Sequence, residues 1–93
     1  VAHCRKEDLA DLDRLIESIR GIDGLSEKSF GCFYLKGKGV LHFHRVKERR
    51  FIHLWNGRDW KEIDLSDQPS TRTQSSYFKK IYAELPLSPS VKK

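Results

Sequence analysis

Ninety-three residues, 38% hydrophobic and 33% charged, make a chain of single-domain size with the composition of an ordinary soluble protein. The 18 basic residues outnumber the 13 acidic ones, and the resulting +5 charge permits contact with nucleic acid without demanding it. No apolar run approaches the ~20 residues of a membrane span, so no membrane partner is expected. Cys4 and Cys32 are isolated, with neither metal-knuckle spacing nor the density of a disulfide framework. No secretion-signal apolar segment opens the sequence, so the expectation is a reduced, cytoplasmic protein.

Positions 1–6 carry no pattern and are expected to fray. From Glu7 to Arg20, Leu9, Leu12, Leu15, Ile16 and Ile19 recur at the spacing of one buried helical stripe. Acidic residues crowd the first turns, Arg20 closes the segment and Gly21 is a natural stop. Ile22-Asp23-Gly24-Leu25 then reads as a turn.

Four strands are expected next. Ser29–Leu35 is the first, and the Lys36–Gly39 turn pairs Leu35 with Val40. Val40–Val46 and Phe51–Asn56 form a hairpin around the charged segment Lys47–Arg50. Asn56-Gly57-Arg58-Asp59 is the strongest turn signal and leads into Trp60–Leu65. Polar residues follow, with Ser70 or Thr71 as a helix cap. Tyr77, Phe78, Ile81, Tyr82 and Leu85 form a second helical stripe that Pro86 ends. The expected fold is α+β: a helix, a four-stranded antiparallel meander and a helix, one domain over 7–85 with a flexible tail over 86–93. Both helices should pack on the face bearing Leu41, Phe43, Ile52, Leu54 and Ile63, with Leu12, Ile16, Ile19, Phe43, Leu54, Phe78 and Ile81 buried.

Three of the four histidines lie between His42 and His53. A four-residue loop pairs Val46 with Phe51, and a two-residue loop pairs Lys47 with Arg50. Both give one register, with His44 opposite His53 and His42 opposite Trp55. All three histidines then share a face, because side chains alternate along a strand and directly opposed residues lie together. His-x-His on a strand presents two imidazoles to one side, a cross-strand histidine adds a third, and Glu62 or Asp64 supplies a carboxylate. Such a set suits Zn²⁺, Fe²⁺ or Mn²⁺, so His42, His44, His53 and Glu62 are the candidate ligands and a divalent metal the candidate cofactor. Acid–base work by one histidine is a second use of the same face. The plainest alternative is a semi-polar sheet face that merely tolerates histidine.

A binding module for nucleic acid is a different reading. Lys36, Lys38 and Arg58 fall at one end of the meander, near Trp55 and Trp60, as a single-stranded nucleic-acid platform would require. Lys47, Arg49 and Arg50 fall at the other end, and this division weakens the patch, since lysine and arginine also decorate turns for solubility. A third reading is a homodimer. Val40, Val46, Phe51, Trp55 and Trp60 flank the histidines, and two helices cover only one sheet face, so a second copy would cover the other. Protonation at about pH 6 would then loosen the pair.

No residue stands out as catalytic. Lys36-Gly37-Lys38-Gly39 lacks the sequel of a P-loop, no serine sits in a nucleophile elbow, and Cys32 reads as a buried thiol. The run Ser29-Phe30-Gly31-Cys32-Phe33-Tyr34-Leu35, followed by a Lys/Gly turn and Val40-Leu41-His42-Phe43-His44, resembles a group of small bacterial proteins of unknown function. In that group a leucine-rich helix precedes an FGxFY…FLHFH block. The similarity spans Leu9 to Leu65, with Leu41-His42-Phe43-His44 as its core. No activity is assigned to the group, so it implies no mechanism. The group often has an acidic residue after the second histidine and an alanine-aspartate pair on the third strand. Here Arg45 and Ile52-His53 stand instead, which makes His42 and His44 the motif proper.

Overall fold

The computed structural model describes residues 2–87. The elements are β1 (Ala2–His3), a 3-10 helix (Lys6–Leu12), α1 (Asp13–Arg20), β2 (Leu25–Ser29), β3 (Cys32–Leu35), β4 (Lys38–Val46), β5 (Arg49–Trp55), β6 (Trp60–Leu65) and α2 (Thr71–Glu84). Five strands form an antiparallel sheet in the order β2-β3-β4-β5-β6, and β1 pairs with β4 as well. The α+β class is as expected; the four-strand count is not. Leu25–Ser29, expected to begin in a turn, is a strand, and the first expected strand breaks at Phe30-Gly31. Gly31 has φ +75°, and a side chain there would meet Leu9 and Phe43 at 3.4 Å, so the chain turns where a residue without Cβ can press against the core.

The expected helical stripe is buried throughout: Leu9, Leu12, Leu15, Ile16 and Ile19 are each at most 2% exposed. The helix itself is not continuous, because Leu9 leaves helical geometry with φ −121°. A physical reason lies at Asp8. Its carbonyl accepts from Arg50 Nη1 at 2.7 Å, the place a helical N–H one turn later would take. No side chain of α1's own N-cap serves its first turn. The Leu15 N–H instead donates to Gln74 Oε1 on α2 at 2.9 Å, while Gln74 Nε2 donates to the carbonyls of Asp11 (3.3 Å) and Pro69 (3.2 Å). Gln74 thereby caps one helix from the body of another. Gln74→Leu leaves that buried N–H without its acceptor, and we expect a loss of about 1–3 kcal/mol in urea denaturation. α2 is capped by Ser70, whose hydroxyl accepts from Thr73 N, one of the two caps expected.

Both helices contribute to one core with Leu41, Phe43, Ile52 and Leu54 of the sheet. Phe78, expected in the core, is only half-buried; Tyr77 is buried instead, and its hydroxyl accepts from Ser66 N at 2.9 Å. Ile63 is also half-buried. A bulge in β3–β4 pairs Phe33 with Leu41 and Tyr34 with Gly39, so Val40 is the extra residue and enters the core beside Leu41. The hairpin closes two residues earlier than expected, with Leu35 opposite Lys38.

The ends also depart from expectation. Ala2 and His3 are not frayed but pair with Arg45 and His44, and Cys4 N donates to the Phe43 carbonyl at 2.9 Å. Cys4 is buried, and its thiol is pushed up to about 11, first by desolvation and then by the charge of Asp8, so it stays protonated near neutrality. Leu87 packs against the core rather than belonging to a loose tail; the rest of the expected tail, 88–93, lies outside the described residues. Among the described residues no helix is long and apolar enough to cross a membrane.

Candidate functional site

The face of the sheet opposite the helices carries the histidines. Alternation along β4 and β5 sends Leu41, Phe43, Ile52 and Leu54 to the core and His42, His44, Phe51 and His53 the other way. The three histidines therefore share a face, as expected. Their register is different. Val46 pairs with Arg49 around a two-residue turn, Lys47-Glu48, which places His42 opposite His53 and His44 opposite Phe51. The slide is an even number of residues, so every side chain keeps its face and only its neighbour changes. Drawing Arg49 into the strand has a use. Its guanidinium reaches Glu62 (2.7 Å) and Asp64 (2.8 Å) on β6 and lies over the Phe51 ring, 4.4 Å from the centroid.

The rings on this face run on without a break. Phe51 and His44 are 5.5 Å apart between centroids, His44 and His42 5.6 Å, His42 and Trp60 5.7 Å, and Trp60 and Trp55 5.4 Å. His53 joins the row from the adjacent strand, 5.3 Å from His44 and 5.1 Å from Trp60, and Tyr34 flanks His42 at 6.5 Å. Cations stand over the margins: Lys28 Nζ is 5.5 Å from the Tyr34 ring and Lys38 Nζ 4.3 Å from that of Trp55. Trp60 is the ring most open to solvent, at 42% exposure.

The four residues expected as a metal set do not converge as donors. His42 and His44 stack nearly parallel, at an interplanar angle of 16°, with His53 edge-on to His44. The Glu62 carboxylate is engaged by Arg49. Among the described residues no group of three or more His, Cys, Asp and Glu side chains is arranged to hold a metal ion. Cys32 is buried as expected, but it pairs with His42 and thus sits under the histidine face, outside the main core cluster.

The two ends of the sheet have different charge. Arg50, expected in a solvated turn, is 6% exposed and forms a two-pronged ion pair with Asp11 at 2.7 and 3.0 Å. Arg49 is committed to Glu62 and Asp64. At the other end, Lys36, Lys38 and Arg58 take part in no ion pair among the described residues. The lysine over Trp55 places the β3–β4 and β5–β6 turns at the same end of the sheet. Arg58 is exposed in the Asn56–Asp59 turn, where the Asn56 side chain accepts from the N–H groups of Arg58 and Asp59 at 2.8 Å.

The apolar row behind the dimer expectation is shorter than its sequence suggests. Val40 lies in the core, and Phe51 is 3% exposed, beneath Arg49 and against His44 and His53. Of that row, Trp60 and Val46, at 42% and 38%, remain as large exposed apolar side chains. Sequence reading found the histidine face but missed the Arg50–Asp11 pair, which no local pattern announces because the partners are 39 positions apart. No family model matches this chain, and neither a curated protein nor a solved structure matches it.

Proposed function

We propose that the histidine–aromatic face is a binding surface for single-stranded nucleic acid. The observation behind this reading is the unbroken row of rings from Tyr34 and His42 through Trp60 to Trp55, exposed at Trp60 and bordered by Lys38. Every base has a π face, so a row of rings accepts successive bases whatever their identity, while flanking ammonium and guanidinium groups take the phosphates. Lys36, Lys38 and Arg58, in no ion pair among the described residues, lie at the Trp55 end, and the net charge of +5 favours a polyanion. The metal-site reading, with His42, His44, His53 and Glu62 as ligands, has no comparable support, because Glu62 is held by Arg49 and two of the rings stack.

Quenching of tryptophan fluorescence by single-stranded oligonucleotides tests the proposal. Trp60→Ala should weaken binding by about 1–3 kcal/mol, the usual worth of one stacked base. Affinity should also fall steeply as salt is raised, because phosphate contacts release counterions. Equal affinity of wild type and Trp60→Ala, or no binding at low salt, rejects the proposal.

A further inference from the structure

A cavity of about 610 Å³ opens at the Trp55 end of the sheet, between the β3–β4 turn, the loop after α1 and the end of α2. Its volume is that of a small-molecule site rather than a packing defect. Ile22, Leu35 and Val40 contribute apolar wall, and Lys36, Lys38 and Tyr82 stand at it with Trp55. We infer that this cavity binds a nucleoside monophosphate, either free or as the phosphorylated end of a strand. The inference rests on the nucleic-acid reading only for the second of those sources.

Three features specify the ligand. The first is a held cation. Lysine is normally a mobile point charge, but the Lys38 ammonium stands 4.3 Å from the centre of the Trp55 ring, a contact that favours its standing at the cavity before any ligand arrives. Lys36 is two residues away on the same turn, and neither ammonium is neutralised by a carboxylate among the described residues. Two lysines on one turn at the cavity, neither in an ion pair among the described residues, suit a phosphate dianion better than a single carboxylate. The second is an open ring. Tyr82 lines the cavity and is 54% exposed although Phe78 packs beside it at 5.9 Å between centroids, so ring surface remains on which a flat heterocycle can pack. The third is an acceptor. Asp23 lines the same cavity, enters no ion pair among the described residues, and can receive hydrogen bonds from ribose hydroxyls. Cation, ring and acceptor together match phosphate, base and sugar. Inorganic phosphate lacks two of these groups and a nucleoside lacks one.

The test is a heteronuclear NMR titration of the intact protein with AMP, adenosine and inorganic phosphate in turn. AMP should shift the amides of Gly24, Lys36 and Lys38 and bind at least about tenfold more tightly than adenosine, the worth of one charge-assisted contact. Lys38→Met should weaken AMP about tenfold, with Lys38→Arg retaining most of the affinity, and Tyr82→Ala should weaken AMP and adenosine alike. Adenosine binding as well as AMP, or AMP shifts clustered elsewhere, overturns the inference. A 5′- or 3′-phosphorylated oligonucleotide that gains over its unphosphorylated form, and loses that gain in Lys38→Met, identifies a strand end as the source; AMP binding without such a gain identifies the free nucleotide. Trp60→Ala reports on the platform separately, since Trp60 does not line the cavity. Loss of oligonucleotide binding in that variant with AMP binding intact keeps the two sites distinct.

Discussion

Arg50→Met should lower the free energy of unfolding by about 3–5 kcal/mol, the usual cost of removing one partner from a buried ion pair. The guanidinium is 6% exposed and makes four close contacts. It grips Asp11 with both terminal nitrogens, at 2.7 and 3.0 Å, and donates to the carbonyls of Asp8 and Ser66, each at 2.7 Å. Removing it leaves the Asp11 carboxylate with the Gln68 N–H at 2.8 Å but without its cation, and takes from two carbonyls the donor that joins the 3-10 helix to the end of β6. Replacing both partners with apolar residues, Arg50→Met with Asp11→Leu, should restore part of the loss, because the cost comes mainly from the charge left behind. If the double variant is no more stable than the single one, the backbone carbonyls rather than Asp11 carry the effect.

The same pair sets an acid limit. The Arg50 hydrogen bonds hold the Asp11 carboxyl below its ordinary value of 3.8, against the opposing effect of burial. A carboxyl depressed in the folded state adds stability that is complete above its ordinary value of 3.8 and disappears as the pH falls through the folded value. The gap in stability between wild type and Arg50→Met should therefore narrow below about pH 4. Denaturant midpoints measured from pH 7 down to pH 3 check this; a gap constant across that range would separate Asp11 from the effect.

Phe43→Ala should cost about 3–5 kcal/mol by denaturant unfolding. Phe43 is 1% exposed at the centre of the sheet, against the Gly31 turn that brings β2 into β3. Its backbone would be untouched, since its N–H donates to the Gly31 carbonyl and its carbonyl accepts from Cys4 N. The loss is thus one of packing and of the cavity left behind. A cost below about 1 kcal/mol would mean that α1 settles into the vacated space.

The faces of the sheet were legible in the sequence and the register was not, for one reason. Strand alternation has a period of two, so Leu41, Phe43, Ile52 and Leu54 identify the core side in any register that shifts by an even step. Choosing among such registers requires the turn, and Lys47–Arg50 offers no Asn-Gly or Asp-Gly to mark it. Lys47 adopts φ +57° in the turn regardless. β2 escaped notice because Leu25 and Glu27 give it one apolar inward residue; Glu27 is recruited by Arg20 (2.6 Å) and by the Gly31 N–H (3.0 Å) rather than by hydrophobicity. The break within the first helix was hidden for the same reason as the burial of Arg50: both arise from one contact between residues far apart in the chain.

β4 has β3 and then β1 along one side and β5 along the other, so its backbone groups are occupied nearly from end to end. Among the described residues the open rims of the sheet are therefore β2 and β6. Neither is an inviting template for a further strand, because β2 presents Lys28 and β6 presents Lys61, Glu62 and Asp64 to solvent. Fibre-like growth by strand addition would have to set a further strand against these charges, which works against it at either rim.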